Sequence, residues 1–258
     1  SARMSRIFIT GSTEGLGRAA ALALLDDGHE VLLHARSPER AKSVTDFSKR
    51  TLGVVIGDLA SGAETKSVAE QVNATGVMDS VIHNAGVYEL PARDATPEGH
   101  ARTLAINTLA PYILTALIAR PKRLIYLSSG LHRGGEGSLA DLDWIKRRWN
   151  PLQAYNETKL HLAALAAYLA RRWPDVLSNA VDPGWVPTRM GGPSAPDDLE
   201  MGHQTQVWLA ASEDAAAKVS GFYWRHRTRE EPAAEVTDPG FQDELVEQLS
   251  ALTGVTLA

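Results

Sequence analysis

Short apolar runs alternate with helical stretches along almost the whole chain of 258 residues. Such alternation predicts strand–helix–strand units, whose parallel sheet is covered by helices on both faces. The predicted strands are 7–10, 31–34, 52–56, 80–83, 123–127, 177–181 and 221–224. We therefore expect an α/β fold, a doubly wound parallel sheet of about seven strands, in a single domain over residues 1–258.

Helical patterns fill the intervals between these strands, and no repeat or linker divides the chain. The predicted helices are 18–27, 64–73, 98–120 with an interruption at Pro111, 153–172, one within 195–212, and 241–252. Residues 1–3 precede Met4 and are set aside as either an expression remnant or native sequence.

Composition excludes several classes of function. Hydrophobic residues at 44% and charged residues at 22% are ordinary for a globular protein, and a net charge of −5 does not favour nucleic acid as a partner. Because the chain has no cysteine, it has neither disulfides nor thiolate chemistry. It shows no signal-peptide pattern and no membrane-spanning apolar run, so we expect a cytoplasmic protein with no membrane partner and no metal site.

A glycine-rich turn, Thr-Gly-Ser-Thr-Glu-Gly-Leu-Gly, follows the first strand and opens the first helix at residues 10–17. Glycines let the backbone approach a diphosphate closely, and a helix N-terminus offers free N–H groups and a positive dipole end. This context predicts a dinucleotide site formed by Gly11, Ser12, Thr13, Glu14, Gly15, Leu16 and Gly17.

Tyr155 and Lys159 stand four positions apart and therefore on one face of a helix. A nearby ammonium favours the phenolate and lowers the tyrosine pKa, which suits proton transfer near neutral pH. Chance alone would supply this spacing about one time in six, so its meaning depends on the rest of the chain.

These motifs together resemble the short-chain dehydrogenase/reductase family over nearly the whole chain, and the resemblance implies a Rossmann-type fold. Further family motifs match at the ends of successive strands. The resemblance implies cofactor contacts from Asp58 and Leu59, Asn84-Ala85-Gly86, Pro183 and Gly184, Val186, and Thr188 near the nicotinamide amide.

The resemblance also implies roles at the reacting end. Tyr155 would be the general acid or base, and Lys159 would lower its pKa and bind the nicotinamide ribose. Ser129, rather than Ser128, would orient the substrate oxygen, and Asn107 would complete a proton relay through water. The implied activity is hydride transfer between a nicotinamide cofactor and a carbonyl or secondary alcohol.

The end of the second strand bears on the choice between NADP and NAD. Ala35 stands where NAD-preferring relatives carry Asp, and the planar fork of Arg36 could clamp a phosphate. Glu14 opposes this, because a carboxylate just before the second glycine could repel a 2′-phosphate. NADP is favoured as the cofactor, and NAD is the alternative. Arg36 could otherwise be an ordinary surface charge with no role in binding.

Twenty-five residues separate Ser129 from Tyr155, about twice the usual family spacing. The insert, 130–152, resembles the retinol-dehydrogenase and protochlorophyllide-reductase-like branch, whose members often reduce bulky apolar carbonyls. We expect it to border the substrate pocket. His132 could touch substrate or be structural, and Trp144 and Trp149 are interpreted as packing residues.

The segment 185–200 is rich in Gly and Pro and is predicted to be mobile over the site. Trp185, Met190 and Leu131 are candidate pocket walls, so the expected partner is a small, apolar carbonyl or alcohol. Family members often assemble through their long helices, which leaves a homo-oligomer open here. Residues 160–169 could serve as that interface or face their own sheet.

Two other functions compete with the oxidoreductase. A cofactor-sensing binding protein could use the same fold without turnover, but such proteins usually lack the Tyr or the Lys. A sugar-nucleotide epimerase also uses Tyr-x-x-x-Lys, although those chains are usually longer and carry a different glycine spacing.

Overall fold

A mostly parallel sheet forms the centre of the computed structural model, which describes residues 3–135, 139–186, 190–195, 197 and 199–258. In this part of the chain eight strands pair in the order β3-β2-β1-β4-β5-β6-β7-β8. The strands are β1 Arg6–Ile9, β2 Glu30–Ala35, β3 Gly53–Ile56, β4 Ser80–His83, β5 Arg123–Leu127, β6 Leu177–Asp182, β7 Tyr223–Arg225 and β8 Thr228–Glu230. The predicted doubly wound sheet is confirmed. The sequence missed β8, a polar strand that pairs antiparallel at the edge.

Helices cover both faces of the sheet. They are α1 Gly15–Asp26, α2 Pro38–Ala41, α3 Gly62–Thr75, α4 Arg102–Leu104, α5 Ala110–Leu117, α6 Pro151–Arg172, α7 Leu199–Ala211 and α8 Pro239–Thr253. Helices α1 and α7 pack together on one face, while α3, α5, α6 and α8 cover the other. No helix in the described ranges has the length and apolar character needed to cross a bilayer.

Alternation along each strand divides the core into two apolar clusters. In β1, Phe8 belongs to one cluster, while Ile7 and Ile9 belong to the other. In β2, Leu32 belongs to the first cluster and its neighbour Leu33 to the second, on the other face of the sheet. Successive strand residues point to opposite faces, and both faces are covered, so the central strands β1 and β2 are apolar on both sides over most of their length.

The helical stretch before β5 differs from the prediction in where it begins and in where its regular helix is interrupted. It begins at α4 rather than at residue 98, and a wide π turn over Ala105–Leu109 joins α4 to α5. Pro111 does not interrupt the helix but lies in the first turn of α5. Proline cannot supply a backbone N–H, and the wide turn accommodates this by bonding Ala110 N–H to Ala105 O.

Helix α6 is enclosed by its own chain. Every residue from 154 to 166 is buried, including the charged side chains of Glu157 and Lys159. The helix packs against β5, β6, α8 and two short turns, Gly130–Gly134 and Ala234–Thr237. The apolar stretch 160–169 therefore faces the interior of this chain.

The insert packs onto the main core through Leu142 and Trp144, whose ring meets Trp149 edge-on at 5.3 Å. The Asp143 carboxylate holds it there. It accepts hydrogen bonds from Ala101 N–H at 2.7 Å, from Arg93 Nη2 at 3.2 Å, and from His100 Nδ1 at 2.7 Å. The interpretation of both tryptophans as packing residues is therefore confirmed.

Candidate active site

A cleft of about 440 Å³ opens at the carboxyl ends of the parallel strands. Parallel sheets of this topology bind ligands at this edge. Motifs that lie far apart in sequence meet in the cleft. Its lining includes Gly11, Thr13, Glu14, Gly15, Leu16, Arg36, Asp58, Leu59, Asn84, Ala85, Gly86, Tyr155, Lys159 and Pro183.

The glycine turn needs each of its three glycines. Gly11 and Gly15 have φ values of 60° and 59°, in the left-handed region that favours glycine. A Cβ on Gly17 would lie 2.3 Å from Gly11 O, so any side chain would push the turn away from α1. The side chain of Ser12 lies beneath the turn, where it donates to Ile9 O at 2.9 Å and accepts from His34 N–H.

His34 supports this turn, and sequence reasoning missed it. Its Nδ1 accepts from Gly11 N–H at 2.9 Å, and its Nε2 donates to Gly57 O at 2.9 Å. Burial lowers the His34 pKa, which keeps the ring in the neutral form that this pair of bonds requires. The available signal was a histidine at the end of the strand next to the glycine turn.

The end of β4 is fixed to the same turn. Thr10 Oγ1 accepts from the backbone N–H groups of Asn84 at 2.9 Å and Ala85 at 3.0 Å, and Asn84 Nδ2 donates to Gly11 O at 3.1 Å. After β3, Asp58 Oδ1 accepts from Ala60 N–H at 2.9 Å. These bonds set the shape of the cofactor end of the cleft.

At the other end of the cleft, Tyr155 lies in the second turn of α6 and is 6% exposed. Ser129 hydrogen-bonds its hydroxyl, and the Tyr88 ring meets its ring edge-on at 4.7 Å. Ser128 Oγ instead donates to Lys159 O at 2.8 Å, tying β5 to α6. Ser129 is thus the serine bonded to Tyr155, whereas Ser128 is the one in the cleft lining, and the choice of Ser129 as the catalytic serine stays a prediction.

Lys159 extends beneath Tyr155 toward the strand. Its Nζ donates to Leu127 O at 3.1 Å and lies 5.5 Å from the centre of the Tyr155 ring. Burial lowers the pKa of Lys159 to about 8.

The expected lowering of the tyrosine pKa by Lys159 stays a prediction, because the net change in the Tyr155 pKa of this chain is a rise. Burial raises the pKa of Tyr155 to about 12, the hydrogen bond with Ser129 lowers it, and the neighbouring Tyr88 and Asp182 raise it further. Desolvation disfavours the phenolate more than its surroundings stabilise it. Tyr155 is therefore a protonated donor at neutral pH.

Asn107 lies in the wide π turn and is fully buried. Its Oδ1 accepts from Val87 N–H at 2.8 Å, while its Nδ2 donates to Val87 O at 2.9 Å and to Thr158 Oγ1 at 3.1 Å. The amide thus connects the segment after β4 to α6, next to the reacting residues. Its part in a proton relay stays a prediction.

After β6, Asp182 Oδ1 accepts from Gly184 N–H at 2.8 Å, and Gly184 adopts φ 81°. Val186 is buried. Thr188, predicted to lie near the nicotinamide amide, is outside the described residues, as are several other positions of the segment 185–200.

His132 is a structural residue. It is fully buried, its Nδ1 donates to Ser129 O at 2.8 Å, and its Nε2 accepts from Ala233 N–H at 3.0 Å. Of the three candidate wall residues, Met190 lines the cleft, whereas Leu131 and Trp185 are exposed side chains outside its lining.

The shape and donors of the cleft suit a nicotinamide dinucleotide. The close-packed glycine turn leaves the N-terminus of α1 open to a diphosphate, and the lining passes from Arg36 and Asp58 at one end to Tyr155 and Lys159 at the other. One ligand could therefore contact both ends.

Comparison with known proteins agrees with this geometry. Residues 11–219 match the family described as enoyl-(acyl carrier protein) reductase. Short-chain dehydrogenase chyC of Penicillium rubens is 40% identical over 98% of this chain and 99% of that protein. Retinol dehydrogenase 13 of Homo sapiens is 28% identical over 96% of this chain and 84% of that protein, so a retinol dehydrogenase stands among the relatives, as the insert suggested.

A solved structure supports the fold. The blue fluorescent protein from a metagenomic library, in complex with NADPH, superposes with a TM-score of 0.69 at 21% identity, over 85% of this chain and 94% of that chain. Fold, family match and full-length relatives agree that the chain belongs to the short-chain dehydrogenase/reductase family of oxidoreductases.

Proposed function

We propose that this protein is an NADP-dependent carbonyl reductase or alcohol dehydrogenase in which Tyr155 is the general acid or base. The observation that carries the proposal is the meeting of Tyr155 and Lys159 in a cleft that begins at the glycine turn, with Ser129 hydrogen-bonded to Tyr155. The nicotinamide cofactor would supply or accept the hydride when bound. The protein's own residues would handle the proton and hold the substrate.

In the reducing direction, the Tyr155 hydroxyl would donate its proton to the carbonyl oxygen as negative charge develops there. The Ser129 hydroxyl has a single O–H donor, so it would turn from Tyr155 to donate a second hydrogen bond to the substrate oxygen. The Lys159 ammonium would stabilise the tyrosinate left behind and bind the ribose. Alcohol oxidation would reverse these steps.

Cofactor binding would fall to residues around the glycine turn. The α1 N-terminus would face the diphosphate, and Asp58 the adenine. Two observations support NADP. Arg36 is exposed and lines the cleft beside the small Ala35, and the similar blue fluorescent protein was solved with NADPH. NAD is the alternative.

The walls near Tyr155 favour an apolar carbonyl compound. Val87, Leu90, Ile106 and Met190 line the cleft, and Tyr88 packs against the Tyr155 ring. Side chains of this kind bury an apolar ligand, while Ser129 and Tyr155 orient its oxygen. This agrees with the apolar substrates expected for the branch that the insert resembles.

Replacing Tyr155 tests the proposal. Tyr155→Phe keeps the ring and removes the proton, so we expect carbonyl reduction to fall by roughly 10²- to 10⁴-fold with little change in NADPH affinity. NADPH and NADH oxidation across a panel of carbonyl compounds gives the rates, and fluorescence titration gives the dissociation constants. Tyr168→Phe, further along α6, is the matched control and should keep normal turnover. Full activity in Tyr155→Phe would refute the mechanism.

A cofactor-sensing binding protein is the competing function. It would bind NADPH with the same residues and oxidise none of it with any carbonyl in the panel. The retained Tyr155, Ser129 and Lys159 favour the enzyme.

A further inference from the structure

We propose that Arg225 is a positioning residue for the chain that would contact the nicotinamide, on which it acts through Asp197. This inference rests on the proposed function of the same cleft. Arg225 ends β7 and is the register partner of Asp182, which ends β6. The next residue, Pro183, lines the same cleft as Tyr155. The position of the chain after β6 therefore bears on where a nicotinamide would lie.

The Arg225 guanidinium contacts two carboxylates that hold the backbone after β6. Its Nη2 lies 3.4 and 3.3 Å from Asp197 Oδ1 and Oδ2. Asp197 Oδ2 accepts from Trp185 N–H at 2.7 Å, and Asp197 N–H donates to Trp185 O at 2.9 Å. Arg225 Nε also lies 3.9 Å from Asp182 Oδ2, while Asp182 Oδ1 accepts from Gly184 N–H at 2.8 Å. One cation thus links both carboxylates to the sheet edge.

Gly184 lies in close contact with two side chains of this region. A Cβ on Gly184 would be 2.6 Å from Asp197 Oδ2 and 3.1 Å from the His226 ring. Its φ of 81° is also in the region that favours glycine. Because the backbone packs directly against the Asp197 carboxylate, a change in the position of that carboxylate should be transmitted to Gly184.

The turn that joins β7 to β8 carries backbone strain. His226 and Arg227 have φ values of 49° and 59°, although neither is a glycine. Two-residue hairpin turns with such values usually contain Asn-Gly or Asp-Gly. Arg227 N–H donates to Thr205 Oγ1 at 2.9 Å, which holds the turn against α7. Strain of this kind is concentrated at functional sites, and here it accompanies the contact of the His226 ring with Gly184.

Removing the Arg225 charge should displace the chain after β6 and leave the rest of the cleft in place. The Arg225 and Asp197 side chains are 39% and 23% exposed, so their pair can be broken without opening the core. The glycine turn is held separately, by hydrogen bonds with His34 and Asn84. Binding of the diphosphate and the adenine should therefore be retained, and the loss should be confined to the nicotinamide.

The experiment compares two nucleotides on the full chain by isothermal titration calorimetry. NADPH carries the nicotinamide, whereas ADP-ribose 2′-phosphate has a hydroxyl in its place. NADH and ADP-ribose form the equivalent pair if NAD is the cofactor. The variants are Arg225→Gln, Asp197→Asn and the two combined. Asp197→Asn keeps an acceptor for Trp185 N–H and removes the charge that Arg225 binds.

Arg229→Gln is the matched control. Arg229 lies on β8 of the same hairpin, and its guanidinium stacks on the Phe222 ring at 3.7 Å, whereas that of Arg225 contacts Asp197. Arg225→Lys is the conservative variant, because it keeps a cation but lacks the planar fork. Thermal unfolding of each variant without nucleotide checks that it is folded. If Arg225→Gln does not fold, Asp197→Asn carries the same comparison.

We expect Arg225→Gln to weaken NADPH binding by about 10-fold and to change the affinity for ADP-ribose 2′-phosphate by less than about twofold. The kcat for carbonyl reduction should fall by about 10- to 100-fold, since a small misplacement of the reacting groups is costly. The double variant should lose little more than either single variant, because both break one contact. Arg225→Lys should recover part of the loss, and Arg229→Gln should behave like the wild type.

Several outcomes would overturn the inference. Equal losses for the two nucleotides would show that Arg225 supports the fold in general. Unchanged NADPH affinity and kcat would remove it from any part in positioning, and strictly additive losses would exclude Asp197 as the route. These results would leave the proposed reaction standing, whereas a wild-type chain that binds no nicotinamide nucleotide would refute both.

Discussion

Tyr155 and Lys159 share one wall of the cleft, and burial moves their pKa values in opposite directions. The phenol rises to about 12 and the ammonium falls to about 8. Both changes have the same cause, since a buried site disfavours whichever form is charged. At neutral pH the pair is a protonated phenol above an ammonium, which is the arrangement that carbonyl reduction needs.

The Lys159 pKa predicts where activity falls in alkali. Above about pH 8 the buried ammonium loses its proton, so the charge that would stabilise the tyrosinate disappears and kcat/KM for NADPH should decline. Measuring that ratio from pH 6 to 10 locates the fall. Arginine stays charged over this range, so Lys159→Arg should lack it whatever its overall rate. A decline near pH 8 that persists in Lys159→Arg would assign it to another group.

At this scale the sequence predicted the residues whose chemistry repeats across a family and missed those that depend on proximity. The glycine turn is recognisable from its place between a strand and a helix, and the roles of Ser129 and Tyr155 were predicted from the family resemblance. His34 was predicted only as part of an apolar strand, because its bonds to Gly11 N–H and Gly57 O depend on segments that folding brings to it.

Among the elements, the insert before α6 depends on one carboxylate. The Asp143 side chain is only 10% exposed, and it joins the insert to Arg93 and His100 on the segment after β4. The segment after β4 supplies Val87 and Leu90 to the cleft lining, whereas no described residue of the insert lines it, so this cluster sets how the insert lies against that segment.

Asp143→Ala should loosen the insert. The change leaves a backbone N–H and a guanidinium without their acceptor, which should lower the free energy of unfolding by about 2–4 kcal/mol. Urea unfolding measures the loss, and hydrogen exchange should quicken across residues 139–150. Asp94→Asn is the control, since asparagine tolerates the φ of 48° at this position and the Asp94 carboxylate is 61% exposed, so its bond to Arg102 should matter by less than about 1 kcal/mol. Equal losses in the two variants would contradict the role given to Asp143.

The elements that the sequence missed are short or irregular. The edge strand β8 has three residues, Thr-Arg-Glu, with no apolar alternation to detect. The sequence predicted an interruption of the helix at Pro111, because proline is a recognisable helix breaker. The structure instead has a π turn at Ala105–Leu109, just before the proline. The apolar runs of the buried strands, which alternate with helical stretches, were by contrast sufficient to predict the sheet.

Across the whole molecule, four buried histidines are held neutral. Burial lowers the pKa of His34, His83, His132 and His161, in the cases of His83 and His161 to about 3. They lie on different elements and in different parts of the core. Protonation of these histidines in acid should therefore destabilise the whole fold, separately from any effect of acid on catalysis.

Stability should fall as the pH drops below about 6.5. Each histidine has a folded pKa below its ordinary value of 6.5, so the unfolded chain binds more protons in acid and protonation favours unfolding. At pH 5 the loss should be about 2 kcal/mol for His83 and a similar amount for His161. Urea unfolding at pH 7, 6 and 5 measures it. His83→Phe should show a shallower decline, and an unchanged slope in that variant would contradict the assignment.

The enclosure of α6 also bears on how copies of this protein would work together. Tyr112 Oη donates to Val255 O and Trp173 Nε1 donates to Ala258 O, so the last residues are held over α5 and α6. The part of α6 that carries Tyr155 and Lys159, residues 154–166, is buried by other segments of the same chain. When active and inactive chains are mixed, the rate should thus be proportional to the fraction of active chains. The reason is that the helix with Tyr155 and Lys159 would not be held in place by a neighbouring copy.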